Sequence, residues 1–263
     1  MTDRIDGAAA GILPYTAHNL ALPDGSCTIP GQPLLEDLPL SRAVMGTLDL
    51  LFPHRGEGSC SVVDLGCLEG GYAALFARAG FATLGIEGRL NNFERCQYTA
   101  SRSGLTNLAF ACDDVHNLAR YGSFDAVFCS GILYHLADPV AFLRMAARCT
   151  RRCLLLRTHF ATDSVPATFP HLSEMTTHEG VAGRWYPEHG EESTDDEIMS
   201  RRWASIGNRS SFWIDKRHLL QTLRDVGFAP VYEQYDFLSH VVDDTYIADY
   251  HSSLFVAVRS PSP

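Results

Sequence analysis

Short apolar runs alternate with amphipathic segments along the middle of the chain. The apolar runs predict five buried strands, at Cys60–Leu65, Ala82–Ile86, Leu108–Cys112, Ala126–Ser130 and Cys153–Thr158. The segments between them predict helices, at Tyr72–Gly80, Leu90–Ser103, Val115–Tyr121 and Pro139–Cys149. Strands that alternate with helices in this way form a parallel sheet with right-handed crossovers and helices on both faces. The pattern therefore predicts an α/β fold.

Further elements are predicted on both sides of this alternating core. Residues 1–40 are rich in Gly, Ala and Pro and predict an irregular arm, which we interpret as a lid. Leu40–Phe52 has helical periodicity and predicts a helix before the first strand. Toward the carboxyl end, a helix is expected at Asp215–Val226, followed by strands at Val231–Leu238 and Ser253–Arg259.

The stretch His159–Phe212 has no clear period and predicts irregular or partly self-structured chain. Its length of roughly 50 residues exceeds an ordinary loop, and the three tryptophans lie in it or directly after it. We interpret it as an aromatic-rich lid over an acceptor pocket, and a small apolar cluster that covers the sheet end is the alternative. The expected organisation is an arm at 1–40, a core at 41–159, an insertion at 160–212 and the rest of the core at 213–263.

The first predicted strand ends in a pattern typical of a nucleoside-binding turn. Apolar residues lead to Asp64, and Gly66 and Gly70 follow before a predicted helix. Glycines let a ligand approach the backbone, and a helix that begins beside them directs its amino end at that ligand. The dinucleotide fingerprint GxGxxG requires a glycine where Leu68 stands, so the pattern favours a different adenosine-containing cofactor.

Acidic residues end the next two predicted strands. Glu87 follows the second strand, roughly 20 residues after the glycine turn, where a carboxylate can accept hydrogen bonds from both ribose hydroxyls. Asp113 and Asp114 follow the third strand. Because ligands of such sheets bind at the carboxyl ends of the strands, these carboxylates predict an adenosine site that spans three strands.

Two segments resemble class I S-adenosylmethionine (SAM) dependent methyltransferases. The run Asp64–Gly70 is similar to the first motif of that family. Leu133–His135, followed by Asp138–Pro139, resembles a segment after the fourth strand of many small-molecule and some RNA methyltransferases. A further run, His18–Gly25, looks like the entry segment of methyltransferases related to those that modify the tRNA wobble uridine.

The resemblance covers residues 60–160 and, more loosely, the whole chain. It implies SAM as cofactor and a Rossmann-like, doubly wound, mostly parallel seven-stranded sheet with an antiparallel last strand. It also implies that an acidic residue, here Asp113, meets the adenine amino group. The expected cofactor-binding residues lie at the strand ends: Asp64, Gly66, Cys67, Leu68, Gly70, Glu87, Gly88, Asp113, Asp114, Val115 and Ser130.

The charge and the apolar runs of the chain bear on whether its partner is a nucleic acid or a membrane. The chain has 31 acidic and 21 basic residues, a formal net charge of −10, and Lys216 as its one lysine. Nucleic-acid enzymes generally need a basic patch for phosphates, so the charge argues against tRNA as acceptor. No stretch approaches the roughly 20 apolar residues of a membrane span, and the amino end lacks a signal-peptide pattern. We therefore expect a cytoplasmic protein, with its oligomeric state open.

The eight cysteines predict neither a disulfide framework nor a zinc site. Five of them, Cys60, Cys67, Cys112, Cys129 and Cys153, fall in or beside predicted buried strands, where free cysteine behaves as a small hydrophobe. No CxxC pair is present. The insertion contains histidines and acids, but their spacing matches no defined metal site, so no metal is expected.

Methyl transfer from a sulfonium is an in-line displacement that needs an aligned acceptor and removal of its proton. His135 is the candidate general base, and a structural histidine bonded to backbone is the alternative. Tyr134 is expected at the sulfonium or the acceptor, and His159 is a second candidate base. Arg157 suits an acceptor carboxylate. The candidate acceptor-binding residues are Tyr15, His18, Asn19, Arg157, Trp185, Asn208 and Trp213.

These observations predict a SAM-dependent methyltransferase that acts on oxygen or nitrogen of a small molecule. One alternative is an enzyme of the same fold that diverts SAM alone to intramolecular cyclisation or lysis, for example to azetidine-2-carboxylate, and releases methylthioadenosine. Another is a non-catalytic SAM-binding module that regulates a partner. The product distinguishes methyl transfer from diversion of SAM, since S-adenosylhomocysteine (SAH) is the product of methyl transfer and methylthioadenosine that of diversion.

Overall fold

The computed structural model describes residues 14–56, 59–235 and 250–259. Seven strands form one sheet: β1 (Ser61–Leu65), β2 (Ala82–Glu87), β3 (Leu108–Cys112), β4 (Phe124–Ser130), β5 (Thr150–His159), β9 (Val231–Gln234) and β10 (Ser252–Val258). Their order is β3-β2-β1-β4-β5-β10-β9. The first five pair in parallel, and β10 runs antiparallel to both its neighbours. The predicted mostly parallel sheet with an antiparallel last strand is confirmed.

Helices cover both faces of this sheet: α1 (Pro39–Leu51), α2 (Gly71–Arg78), α3 (Leu90–Ser103), α4 (Pro139–Arg148) and α6 (Lys216–Asp225). Successive side chains of a strand point to opposite faces, so each strand feeds two cores. Val62 of β1 packs in the cluster that contains Phe76 of α2. Val63, the next residue, packs in the cluster that contains Leu143 of α4. Burial on both faces explains why β1 and β4 are continuous apolar runs.

Most predicted element bounds agree with the structure, and the differences have simple causes. The helix α3 and the strand β3 have the predicted bounds. The segment Val115–Tyr121 is a 3-10 helix, with Asp114 as its amino-terminal cap. The strand β5 begins at Thr150, before its predicted start, because exposed arginines at its edge hide the strand pattern. Residues 236–238 of the predicted strand Val231–Leu238 lie outside the described residues.

The stretch that was predicted to be the least regular is more ordered than expected. It contains β6 (Thr176–His178), β7 (Val181–Pro187), α5 (Asp195–Ser200) and β8 (Ser210–Ile214). The three strands form a separate antiparallel sheet. Its strands are short and carry glycine and charged residues between the aromatic ones, which hides the alternating pattern.

This small sheet is attached to the segment that follows β4. The backbone N–H of Phe212 donates a hydrogen bond to the carbonyl of Leu136 over 2.8 Å. The indole Nε1 of Trp213 donates to the carbonyl of Tyr134 over 2.9 Å. The order of the small sheet therefore fixes the backbone on both sides of His135.

All eight cysteines are free thiols. Cys67, Cys129 and Cys153 are buried, as predicted, and Cys60 is partly buried. The prediction for Cys112 is wrong, because β3 is an edge strand and the Cys112 side chain points to solvent. Among the described helices, none combines the length and apolar character that a membrane crossing requires.

Candidate functional site

A cavity of about 660 Å³ lies at the carboxyl ends of β1, β2, β3 and β4. This volume is within the range of roughly 300–1,000 Å³ that is usual for small-molecule sites. Most of the predicted site residues line it: His18, Asp64, Gly66, Cys67, Leu68, Glu87, Gly88, Asp114, Val115, Ser130, Tyr134, His135, Arg157 and Asn208. Parallel strands bring these distant positions to one edge.

The turn after β1 has the backbone shape that its glycines predict. Gly66 has φ of +65° and Gly70 has φ of +79°. A Cβ at position 66 would lie 2.1 Å from Ile132 Cδ1, so the glycine is needed for Ile132 to pack against the turn. Leu68, at the position of the second glycine in the dinucleotide fingerprint, has φ of +55°. This strained residue directs its backbone N–H to Glu87 Oε2 at 2.9 Å.

Two buried carboxylates form the base of the cavity beside this turn. Asp64 Oδ2 accepts a hydrogen bond from the Ala73 backbone N–H, near the start of α2, over 3.1 Å. Burial is the main cause that raises the pKa of Asp64 to about 8, and the nearby Glu87 adds to it. The pKa of Glu87 is also raised by burial, although it accepts hydrogen bonds from the Leu68 and Arg89 backbone N–H groups. Both carboxyls therefore sit where polar ligand groups can bond them.

Two aspartates follow β3. Asp114 lines the cavity, whereas Asp113 does not. Asp113 instead accepts hydrogen bonds from Asn117 Nδ2 over 2.6 Å and from Tyr121 Oη over 2.8 Å. Asp114 Oδ1 lies 2.7 Å from His116 Nδ1, and this hydrogen bond is the main cause that raises the pKa of His116. Of the two predicted aspartates, Asp114 is therefore the one in position to contact a ligand of the cavity.

Gly70 also lies outside the cavity wall. A Cβ at this position would lie 2.6 Å from the Phe110 ring, which packs from β3. The glycine is therefore needed for close packing of the turn against the sheet, and its positive φ allows the start of α2.

His135 forms a carboxylate–histidine pair with a residue of the insertion. Its Nδ1 lies 2.8 Å from Glu188 Oε1, and the Glu188 side chain is 2% exposed. The same Oε1 accepts a hydrogen bond from Ser211 Oγ over 2.7 Å, and Oε2 accepts one from the Ser205 backbone N–H over 3.1 Å. These bonds fix the carboxylate, and a carboxylate acceptor at Nδ1 places the histidine proton on that nitrogen. No residue in the described ranges pairs with Nε2 of His135.

His159 and Trp213 lie behind the cavity wall and do not line it. Their rings stack with centroids 4.8 Å apart, and Tyr134 separates them from the cavity, with its centroid 4.1 Å from that of His159. Burial is the main cause that lowers the pKa of His159 to about 3, and the charge of Arg157 adds to it. His159 is thus a neutral packing residue, and its position does not fit the predicted second base.

Three other predicted acceptor-binding residues point into the protein. Tyr15 Oη donates to the Arg95 carbonyl over 2.7 Å. The Asn19 side chain bonds the arm's own backbone, with its Nδ2 2.7 Å from the Gln32 carbonyl. Trp185 packs on Phe212, with ring centroids 5.1 Å apart. The sequence predicted these aromatic and amide side chains as acceptor contacts, whereas in the structure they hold the arm and the insertion in place.

The arm is fixed to the cofactor turn by Glu69, which sequence reasoning missed. Glu69 is fully buried and accepts hydrogen bonds from the backbone N–H groups of residues 16–18, over 2.9–3.0 Å, and from the Thr16 hydroxyl, over 3.1 Å. Arg95 Nε and Arg202 Nη2 lie 3.6 and 3.8 Å from its Oε1. Glu69 thus joins the arm, α3 and the insertion at one point.

His18 lines the cavity. Its ring is also hydrogen-bonded to the backbone of the protein. Its Nδ1 accepts a hydrogen bond from the Gly71 backbone N–H at the start of α2, over 3.1 Å. This bond needs a neutral ring, and burial lowers the pKa of His18 to about 4.

The insertion contributes residues 202–208 to the cavity wall. Arg89, which follows Glu87, holds this segment by donating to the carbonyls of Ile198, Met199 and Ala204 over 2.6–3.0 Å. Arg89 was not predicted, although an arginine two residues after Glu87, at the end of β2, is the signal that could have indicated it. Of the described residues, no three histidines, cysteines or acids come together in a way that could hold a metal ion.

The sequence matches a family model described as a methyltransferase domain over residues 63–153. It is 34% identical over 103 residues to a tRNA U34 carboxymethyltransferase of Campylobacter curvus, a match that covers 36% of this chain and 33% of the relative. It is 32% identical over 119 residues to a ubiquinone biosynthesis O-methyltransferase of Paracidovorax citrulli, covering 44% of this chain and 48% of the relative. The chain therefore matches between a third and a half of these curated relatives.

The structure is similar over most of its length to the amino-terminal domain of EvdMO1, which was crystallised with SAH bound. The TM-score is 0.62 with 26% sequence identity, over 86% of this chain and 82% of the other. A magnesium protoporphyrin IX methyltransferase from Synechocystis PCC 6803, crystallised with SAM, shares the fold at a TM-score of 0.51 and 18% identity, over 88% and 87% of the two chains. The sheet order and these matches show the class I SAM-dependent methyltransferase fold and a methyltransferase domain over residues 63–153, for which SAM is the cofactor.

Proposed function

We propose that the protein transfers the SAM methyl group to an oxygen or nitrogen of a small-molecule acceptor, and that His135 is the general base. The observation that carries the proposal is the pair of His135 and Glu188 on the wall of the same cavity that holds Glu87. The pair supports base catalysis because it combines a fixed ring, a proton on Nδ1 and an available Nε2.

The cavity residues fit the adenosine part of SAM. Gly66 and Gly88 are both in the cavity wall, beside Asp64 and Glu87. In this proposal, Glu87 bonds the ribose hydroxyls and Asp114 lies toward the adenine. When bound, SAM supplies an electrophilic methyl carbon on a sulfonium. Cofactor contacts on β1, β2 and β3 leave the ends of β4 and β5 for the acceptor.

The proposed role of His135 is to take the proton that the acceptor loses as it attacks the methyl carbon. The acceptor lone pair forms the new bond to carbon, the old carbon–sulfur bond electrons stay on sulfur, and the acceptor proton moves to Nε2. Glu188 stabilises the imidazolium that results, because its charge lies 2.8 Å from Nδ1. The parts of the arm and of the insertion that line the cavity exclude water from this step.

A small acceptor is favoured over tRNA by charge. The net charge is −10, and the cavity wall includes the carboxylates of Asp64, Glu87, Asp114 and Asp138. Eight free thiols also fit a cytoplasmic protein, where thiols stay reduced.

Product analysis with methyl-labelled SAM tests this function. The protein is incubated with the low-mass fraction of a cell extract, with the tRNA fraction, or with SAM alone. We expect SAH and label in the low-mass fraction, and a rate that falls about 100-fold or more in His135→Gln and in Glu188→Gln. The control His54→Gln, at an exposed site, keeps the wild-type rate. Label in tRNA, or methylthioadenosine from SAM alone, contradicts the proposal.

A further inference from the structure

Arginines that are wholly or partly buried in the described chain find partners within the protein, with one exception at the cavity. Arg89, Arg184 and Arg259 donate to backbone carbonyls. Arg55 and Arg95 combine carbonyls with a carboxylate. This pattern is expected because a guanidinium withdrawn from water is costly unless its donors are bonded.

Arg157 departs from this pattern. It lies at the carboxyl end of β5, opposite Ser130 in the register with β4, and lines the cavity. Its Nε is buried without a hydrogen-bond partner. Within residues 14–56, 59–235 and 250–259, no carboxylate lies within 4.0 Å of its guanidinium, although ion pairs of that length are found for eight other arginines.

The surroundings of Arg157 suit a flat organic body. Tyr72 and Phe128 line the cavity with ring centroids 4.9 Å apart. Tyr134 and the side chains of Leu35 and Leu38 are also in the wall. A carboxylate bound here would therefore be attached to a group that rests on aromatic and aliphatic surfaces.

The strand order places Arg157 away from the predicted cofactor contacts. The sequence of neighbours is β2, β1, β4 and β5, and strands are about 4.8 Å apart, so β5 lies about 10 Å from β1. Arg202, by contrast, lies 3.8 Å from Glu69 in the turn after β1. Arg157 instead lies on the side of the cavity that holds Tyr134 and His135.

We infer that Arg157 binds a carboxylate of the acceptor, so that the acceptor is an organic acid with a flat, apolar body. The guanidinium supplies paired donors that match the two carboxylate oxygens. This inference rests on the proposed function, because it takes the side of the cavity beside β4 and β5 as the acceptor side. Binding of the carboxylate then orients the acceptor oxygen or nitrogen toward His135.

Calorimetric titration of benzoate and benzamide into the SAH-saturated protein tests the inference. The two probes have the same flat body and differ in charge. We expect benzoate to bind at least about tenfold more tightly than benzamide, because only the acid forms the ion pair. In Arg157→Met this preference disappears, and in Arg157→Lys a reduced preference remains. The control Arg217→Met, at a site that is 81% exposed, keeps the wild-type preference.

The outcomes separate this inference from the proposed function. Equal or undetectable binding of the acid and the amide to the wild-type protein overturns the inference. So does a tenfold loss of SAH affinity in Arg157→Met with benzoate binding retained, because the guanidinium would then hold the cofactor. Failure of the wild-type protein to bind SAH contradicts the proposed function, whereas loss of the benzoate preference with normal SAH binding contradicts only the role of Arg157. Melting curves of each variant confirm that it is folded.

Discussion

The floor and the roof of the cavity differ in the way that the chain builds them. The floor consists of the carboxyl ends of β1, β2 and β3, and its polar groups bond nearby residues. Glu87 bonds the N–H of Leu68, 19 residues before it, and that of Arg89, two residues after it. The roof consists of residues 14–18 and 188–208, and its contacts join distant parts of the chain. The floor carboxylates are thus bonded by residues of the turns and helices that directly follow β1 and β2.

Roof contacts span much greater separations. Glu69 bonds Thr16 over 53 residues, His135 pairs with Glu188 over 53 residues, and Arg89 bonds the Ala204 carbonyl over 115 residues. In each of these contacts, the partner of the roof residue lies directly after a strand of the main sheet: Glu69 after β1, Arg89 after β2 and His135 after β4. The roof is therefore held through a few buried polar contacts, whereas the sheet holds the floor. We expect substitutions at these contacts to affect roof and floor differently.

The largest expected effect is on stability, from Glu69→Ala. This change leaves the N–H groups of residues 16–18 without their acceptor in a buried site. We expect the free energy of unfolding to fall by about 3–5 kcal/mol in urea titrations, as is usual when one partner of a buried charged network is removed. The matched control Glu36→Ala loses an exposed pair with Arg78 and costs less than about 1 kcal/mol. A loss of similar size in both variants would show that Glu69 is not an anchor of the roof.

An intermediate effect is expected from pH, through the buried histidines. Burial lowers the folded-state pKa of His159 to about 3 and that of His18 to about 4, both below the usual histidine pKa of 6.5. Below pH 6.5 the unfolded chain binds protons that the folded protein does not, so stability is lost as the pH falls toward 4. His159→Phe keeps an aromatic ring against Trp213, and we expect it to reduce this loss by about 2 kcal/mol between pH about 7 and about 4.5.

Urea unfolding of the wild-type protein and of His159→Phe at both pH values measures this effect. If the two proteins lose stability equally on acidification, His159 does not remain neutral in the folded state. The same comparison with His54→Gln, at an exposed position, gives the background change.

The smallest effect distinguishes the two aspartates after β3. Asp114 lines the cavity, whereas Asp113 bonds Asn117 and Tyr121 outside it. We expect Asp114→Asn to weaken SAH binding by about five- to tenfold, about 1 kcal/mol for one hydrogen bond. Asp113→Asn leaves the affinity within about twofold. The reverse order in calorimetric titrations would restore the sequence-based assignment.

Sequence reasoning identified the floor because its signals are local. Asp64 and Glu87 each follow an apolar strand, and the fold brings such ends together without further information. The placement of Asp113 outside the cavity was missed because the sequence does not show which of two adjacent aspartates turns inward at a strand end. Side chains of consecutive residues point in different directions, and the capping role of Asp114 was not considered.

The roof could not be identified in the same way. Glu188 was not predicted as a partner of His135, because the two residues are 53 positions apart in the chain and neither has a local pattern. Trp185 and Trp213 were interpreted as ligand contacts, although aromatic residues of a lid also serve to pack it, and here they build the small sheet. Buried networks of this kind depend on tertiary contacts that composition and period do not encode.

Calorimetric titration of SAH into the wild-type protein, Glu87→Ala and Glu188→Gln tests the separation of floor and roof most directly. If Glu87 holds the ribose and Glu188 serves only His135, then Glu87→Ala weakens SAH binding by about 100-fold, about 2.7 kcal/mol. Glu188→Gln leaves the affinity within about twofold. Unchanged binding in Glu87→Ala, together with a large loss in Glu188→Gln, would contradict the account.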